Sequence, residues 1–155
     1  MKSQKGFSLV ELLVVVIIIA IVAAIAIPNL LASRRAANEA SAISSLRTIH
    51  SAEATYQATY GSNTNYGVLT SLSATNLIDG VLGAATSQKS GYDFDVAIGT
   101  GVYCGQAEPT SSATGTRSFA VSEPGVIYQY AAAGAANTAC AGTGALTVGA
   151  GVPIQ

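Results

Sequence analysis

The apolar and polar positions divide the chain into stretches with different periods. The first stretch has no period. Leu12 to Ile27 is an unbroken run of 16 apolar residues, and the wider segment Phe7–Leu31 is interrupted only by Ser8, Glu11, Pro28 and Asn29. As a helix this segment spans about 37 Å, more than the roughly 30 Å of hydrocarbon in a bilayer. The second stretch, Ala32–Tyr60, lacks Gly and Pro. It carries Ile43, Leu46 and Ile49 every third residue, with Ala36, Ala40, Ala54 and Ala58 extending a small-residue face. Arg34, Arg35, Glu39, Arg47 and Glu53 predict a mostly separate polar face, and Gly61 followed by Ser62-Asn63-Thr64-Asn65 predicts the helix end. A single helix from Phe7 to Tyr60 would be about 80 Å long, so half of it should protrude from any domain the remaining residues can build. Pro28 removes one backbone donor and should kink or locally melt it.

Residues 61–91 read as an irregular connection pinned by Leu69, Leu72, Leu77 and Ile78, with short helices near Leu69–Leu72 and Thr75–Ile78. The period then becomes two. Tyr92, Phe94, Val96 and Ile98 alternate with Asp93 and Asp95, which predicts a half-buried strand with a solvated acidic side. Val102–Cys104 reads as a short second strand ending before Pro109. Residues 117–131 read as a hairpin through Glu123-Pro124-Gly125, with Pro and Gly in type II order. The tail from Ala131 to Gln155 is Ala, Gly and Thr with little pattern. A long helix followed by strands joined through short turns predicts an α+β fold: an N-terminal helix packed by its C-terminal half on an antiparallel sheet.

Composition changes the picture in one respect. Of the 155 residues, 50% are apolar but only 10% are charged, against about 25% charged in ordinary soluble domains. The surface is therefore uncharged, or part of the chain avoids water. Net charge is -1, which gives no indication of nucleic-acid binding. One His and two Cys argue against a multi-ligand metal or haem site.

The start of the chain supplies the chemistry. Lys2 and Lys5 precede the apolar run and should remain cytoplasmic, so the rest is exported. Three fates remain open: an ordinary signal cut after Ala24-Ile25-Ala26, a plain single-span anchor, or a specialised signal marked by Gly6 and Glu11. Glu11 is the distinctive residue, because an acid in an apolar helix is costly unless it sits at an interface or meets a positive partner. Cleavage between Gly6 and Phe7 would create an α-amino group four residues before Glu11. The amino group of another copy could then neutralise that carboxylate.

The sequence Gly6-Phe7-Ser8-Leu9-Val10-Glu11-Leu12-Leu13-Val14-Val15-Val16, after a short basic leader, resembles the class III signal of type IV pilins and pseudopilins. Pro28 falls where many pilins carry a helix-kinking proline. The resemblance covers about the first 30 residues; beyond them it is one of layout. It implies a leader of residues 1–6, cleavage of Gly6–Phe7 by a membrane-embedded prepilin peptidase, and N-methylation of Phe7 by the same enzyme. It also implies an assembly role for Glu11. By this reading residues 7–31 form a membrane and filament-core helix, 32–60 its amphipathic continuation, 61–91 a connecting loop, and 92–155 the sheet and C-terminal region.

Export favours oxidation of Cys104 and Cys140, with free buried thiols as the alternative. A bridge would close a 36-residue loop, worth about 4 kcal/mol in the chain-entropy model, and would tie the unpatterned tail to the sheet. The pair also resembles the C-terminal disulfide common in type IV pilins.

The implied partners are copies of the chain in a helical filament, the prepilin peptidase, the inner membrane and a pilus assembly platform. The implied location is the inner membrane, then the extracellular pilus. A type II secretion pseudopilin, a minor pilin, and a secreted binding or enzymatic domain released after Ala26 are the competing readings. No cofactor and no catalytic set is expected. His50 reads as a packed or surface residue. Gly99-Thr100-Gly101 and Gly142-Thr143-Gly144 lack the Lys of a phosphate loop. The seven Tyr read as core and interface material. A Ca²⁺ site at Asp93 and Asp95 would need further oxygen ligands that the sequence does not identify.

Overall fold

The computed structural model describes residues 6–84, 86–131, 136, 139–140 and 144–154. Its element order is α1 (Leu9–Thr59), α2 (Leu69–Ala74), β1 (Gln88–Lys89), β2 (Tyr92–Gly99), β3 (Val102–Pro109), β4 (Ser118–Ser122), β5 (Ile127–Tyr130) and β6 (Val152–Ile154). The six strands form one antiparallel sheet in chain order. This is the α+β arrangement that the period change from 3.6 to two predicts, and it is consistent with the pilin fold that the resemblance implies. The chain divides into two compact units, Met1–Arg34 and Arg35–Gln155.

In the second unit, the C-terminal half of α1 covers the inner face of the sheet. Leu46 and Ile49 meet Tyr92, Phe94, Val96, Tyr103, Phe119, Val121 and Ile127 in one buried core. At Gly105 on β3, an added Cβ would lie 3.7 Å from Ile49 of α1, an ordinary contact, and 3.2 Å from Val121 on the neighbouring strand, so the crowding there is between strands beneath the helix. The helical face is rotated from the one the alanines suggest. Ala36, Ala40, Ala54 and Ala58 are exposed, and the buried stripe is Glu39, Ala42, Ser45, Leu46, Ile49, Ala52 and Glu53. Both acids of the expected polar face are thus under the domain. Each is accepted there because loop backbone and, for Glu39, an arginine supply donors.

The two ends of the α1–β2 connection are set by local geometry. Gly61 ends α1, and a Cβ there would overlap the backbone oxygen of Asn65. The helix expected near Thr75–Ile78 is absent. Asn76 adopts φ 57°, the Asn76 N–H bonds Ser73 O, and the Leu77 N–H bonds Leu72 O. This is a Schellman ending, in which an asparagine in the left-handed region closes α2.

The sheet is larger than its pattern suggests. β1 pairs with β2 through Ser90 and Gly91, both at positive φ as a two-residue type I′ hairpin requires. β3 continues to Pro109 rather than stopping near Cys104, and both its faces are largely buried. Alternation is lost there because a second layer covers the outer face: Cys104, Ala120 and Tyr130 pack with Ala136, Ala139 and Cys140. The Cys104–Cys140 disulfide, with Cα atoms 5.4 Å apart, fastens this layer to β3. The tail also contributes β6 on β5, which its composition does not announce. The β4–β5 turn closes one residue earlier than type II order requires. The Gly125 N–H bonds Ser122 O, placing Pro124 third and Gly125, at φ 74°, fourth. Ile98 shares its face with Tyr92, Phe94 and Val96 but lies past the core and is exposed.

Candidate functional site: the exposed apolar helix and Glu11

The first unit is built from the apolar run. Ser8 accepts the Leu12 N–H through its backbone oxygen and opens α1, so Glu11 stands in the first turn. The partial positive charge of a helix N-terminus favours a carboxylate there. Ser8-x-x-Glu11 also has the spacing of a capping box, a signal that the apolar pattern around it masks. Beyond Glu11 the large side chains have no cover. Phe7 is 78% exposed, Leu9 80% and Ile25 64%. From Phe7 to Leu31 every residue is exposed except the half-buried Ala23. At about 25 cal/mol per Å² of apolar surface, this segment carries a large unspent driving force toward lipid or another apolar surface. α1 is the single helix among the described residues that is long and apolar enough to cross a membrane. It continues through Pro28 without a break.

Gly6, Phe7 and Glu11 thus fall in one exposed segment at the helix start. A Cβ on Gly6 would touch nothing within 4 Å, so the fold does not require glycine at that position. The rest of the expected leader, residues 1–5, lies outside the described residues. The Gly142-Thr143 part of the second glycine stretch lies outside them as well.

Residues 1–27 match the family model described as the prokaryotic N-terminal methylation motif. The chain carries a type IV pilin signal. The type IV wide pilus major component PilA4 of Thermus thermophilus is similar to this chain, at 56% identity over 39 residues. That stretch is 25% of this chain and 30% of that protein. The chain therefore spans about 30% of the length of the curated relative it matches. No solved structure matches.

Outside the pilin signal, the second unit holds two carboxylates that the sequence reading placed in solvent. Glu39 accepts the Thr116 N–H at 3.2 Å and the Arg117 Nε–H at 3.0 Å, and Arg117 also bonds Gln129. Burial raises its pKa, but the Arg117 hydrogen bond, the Thr116 backbone and the Arg117 charge outweigh this and hold the carboxyl below its ordinary value. Glu53 is fully buried. It accepts the Gly67 N–H at 2.9 Å through Oε2, and among the described residues its Oε1 has no hydrogen-bond partner. Burial pushes it up to about 7, and the Gly67 bond offsets only part of that. These acids fasten loops to α1. A carboxylate followed downstream by a loop glycine or arginine is the only trace in the sequence, and it is too common to select them.

The other candidates stay structural. His50 Nδ1 pairs with Tyr103 Oη, which donates to Ser122 O. Asp93 and Asp95 are exposed on the outer face of β2. Among the described residues no group of three or more His, Cys, Asp or Glu is placed to hold a metal ion, so the Ca²⁺ reading gains no ligand set.

Proposed function

We propose that this chain is a structural subunit, the major pilin, of a type IV pilus, polymerising through the apolar half of α1. One observation carries the reading: the half of α1 over residues 9–31, rich in exposed Val, Leu and Ile, begins at a prepilin-type signal and contains a single charge, Glu11. Such a surface is stable first in lipid and then against copies of itself. A head-to-tail contact that does not close generates a helical filament. In this reading prepilin peptidase cuts Gly6–Phe7 at the inner membrane and methylates Phe7. Glu11 meets the methylated amino group of a neighbouring copy, and Pro28 is the point at which the helix can bend. The filament emerges at the cell surface and serves adhesion, motility or DNA uptake. The subunit itself performs no catalysis.

Mass spectrometry of sheared surface filaments tests this. The expected species starts at Phe7, carries one added methyl and is the bulk component of the fibres seen by electron microscopy. A soluble species starting at Ile27 would overturn the proposal. A Phe7-start species confined to short periplasmic assemblies would replace it with the pseudopilin reading.

A further inference from the structure

Residues 61–68 join α1 to α2. Ser62 to Asn65 are exposed, Tyr66 is half-buried and Gly67 is buried. The segment starts in a tight turn. Ser62 and Asn63 sit at φ 54° and 61°, in the left-handed region that residues with a side chain enter at a cost. The Asn63 N–H reaches back to Gln57 O, and the Thr64 and Asn65 N–H groups bond Gly61 O. These bonds hold the turn to the end of α1, but none of them involves Tyr66 or Gly67.

Past the turn the attachment changes. Gly67 rests on the Tyr56 ring, where an added Cβ would lie 3.2 Å from the ring atoms. This close approach lets the Gly67 N–H donate to Glu53 Oε2 at 2.9 Å. Tyr66 meets the Gln57 side chain and sets its ring 4.8 Å from that of Tyr103 on β3. The connector is thereby docked by one buried carboxyl and a few aromatic contacts.

Glu53 is ill suited to do this as an anion. Its side chain is fully buried and, among the described residues, Oε1 has no hydrogen-bond partner. The groups that face it include no Lys or Arg. Tyr66 comes from the connector and Tyr103 from β3, and Glu123 of the β4–β5 turn acts on both tyrosines and accepts the Tyr103 N–H at 2.7 Å. On α1, His50 Nδ1 is engaged with the Tyr103 hydroxyl. α2 carries no titratable residue. A neutral acid tolerates such a site, whereas a carboxylate there lacks water, a second donor and a positive charge. Burial accordingly pushes the group up to about 7. The least costly relief is local. Lifting Tyr66 and Gly67 from the helix admits water to both carboxyl oxygens, and residues 62–65 are in solvent already.

We propose that Glu53 is a pH-operated latch on this connector. As a neutral acid it keeps residues 66–67 docked on α1 and β3; as a carboxylate it releases them and uncovers the facing rings of Tyr56 and Tyr66. The docked form holds the proton more tightly than the open form, so docking is strongest at low pH and weakens as pH rises from 4.5 to about 7. The latch lies within the second unit and does not depend on filament formation.

Hydrogen exchange read by mass spectrometry on the full chain in detergent, corrected for the intrinsic effect of pH, tests this. In the wild type, protection of residues 66–68 should fall about tenfold between about pH 6 and 8, while that of β2, β3 and β4 stays constant. Glu53→Gln should remove the pH dependence, and Glu123→Gln and His50→Gln should keep it. Protection at 66–68 that does not change with pH, that falls together with the sheet, or that loses its pH dependence in Glu123→Gln or His50→Gln would overturn the latch. If Glu53→Gln does not fold, the contrast between connector and sheet in the wild type and in the other two variants still decides.

Discussion

The two halves of α1 invert the usual relation between apolarity and burial. Residues 9–31 are almost entirely Val, Leu, Ile and Ala and lie exposed, whereas residues 35–59 are rich in Ala, Ser and Thr, with four charges, and contain the buried stripe. Even their acids are inverted. Glu11 sits among apolar residues with its surface open, and Glu53 sits in the core of a polar half with none. The difference teaches that this chain's greasiest surface is not what holds the monomer together. The second unit is held by a small helix–sheet core, two donor-supplied carboxylates and a disulfide. In the proposed reading, the first half is held in reserve for lipid and for other copies.

The sharpest way to break this comparison is Glu11→Ala. Filaments should be lost while export, cleavage at Phe7 and unfolding of the second unit stay unchanged, as read by electron microscopy, mass spectrometry and circular dichroism. Normal filaments would remove the special role of the first-half acid. Next comes a matched pair of leucines in the two halves. Leu46→Ala should destabilise the second unit by about 2–5 kcal/mol, because it empties a fully buried site. Leu13→Ala should change denaturant unfolding of the detergent-solubilised chain by less than about 0.5 kcal/mol. Equal effects would mean that the first half contributes to the monomer core after all.

Glu53 gives a pH-dependent version of the same contrast. Its folded pKa is raised, so the native state binds more protons than the unfolded chain between the ordinary value of 4.5 and about 7. The stability it contributes is present below that window and is lost as pH rises through it, by about 3 kcal/mol in all. Glu53→Gln should flatten that segment of the stability–pH curve. An unchanged slope would show that the carboxyl is hydrated in solution. The smallest expected effect belongs to the exposed Lys89–Asp79 pair at 2.8 Å. Lys89→Ala should cost no more than about 0.5 kcal/mol in thermal unfolding.

Much of this was legible from residues alone, and the reasons are specific. The apolar run is long, uninterrupted and preceded by a charged leader, so no tertiary information is needed to read it. The strand at Tyr92–Gly99 was readable because one face is buried and the other, at Asp93 and Asp95, is wet, whereas β4 and β5 were readable from the Glu123-Pro124-Gly125 turn between them, since β4 is buried on both faces. β3 was underestimated because the disulfide-tied layer buries its second face and erases the alternation that marks a strand. β1 and β6 are two and three residues long, too short for any periodic signal.

Sequence by itself determined that a basic leader, Gly6, Phe7, Glu11 and an apolar helix stand in the order a prepilin signal needs, because those properties depend only on residue type and spacing along one segment. It also determined that an antiparallel sheet follows a long helix. Tertiary structure alone decided which face of α1 is buried, since a face rich in Ala, Ser and Glu gives no apolar stripe strong enough to fix the rotation. It decided that Glu39 and Glu53 are inside, since their donors come from residues 117 and 67, far along the chain.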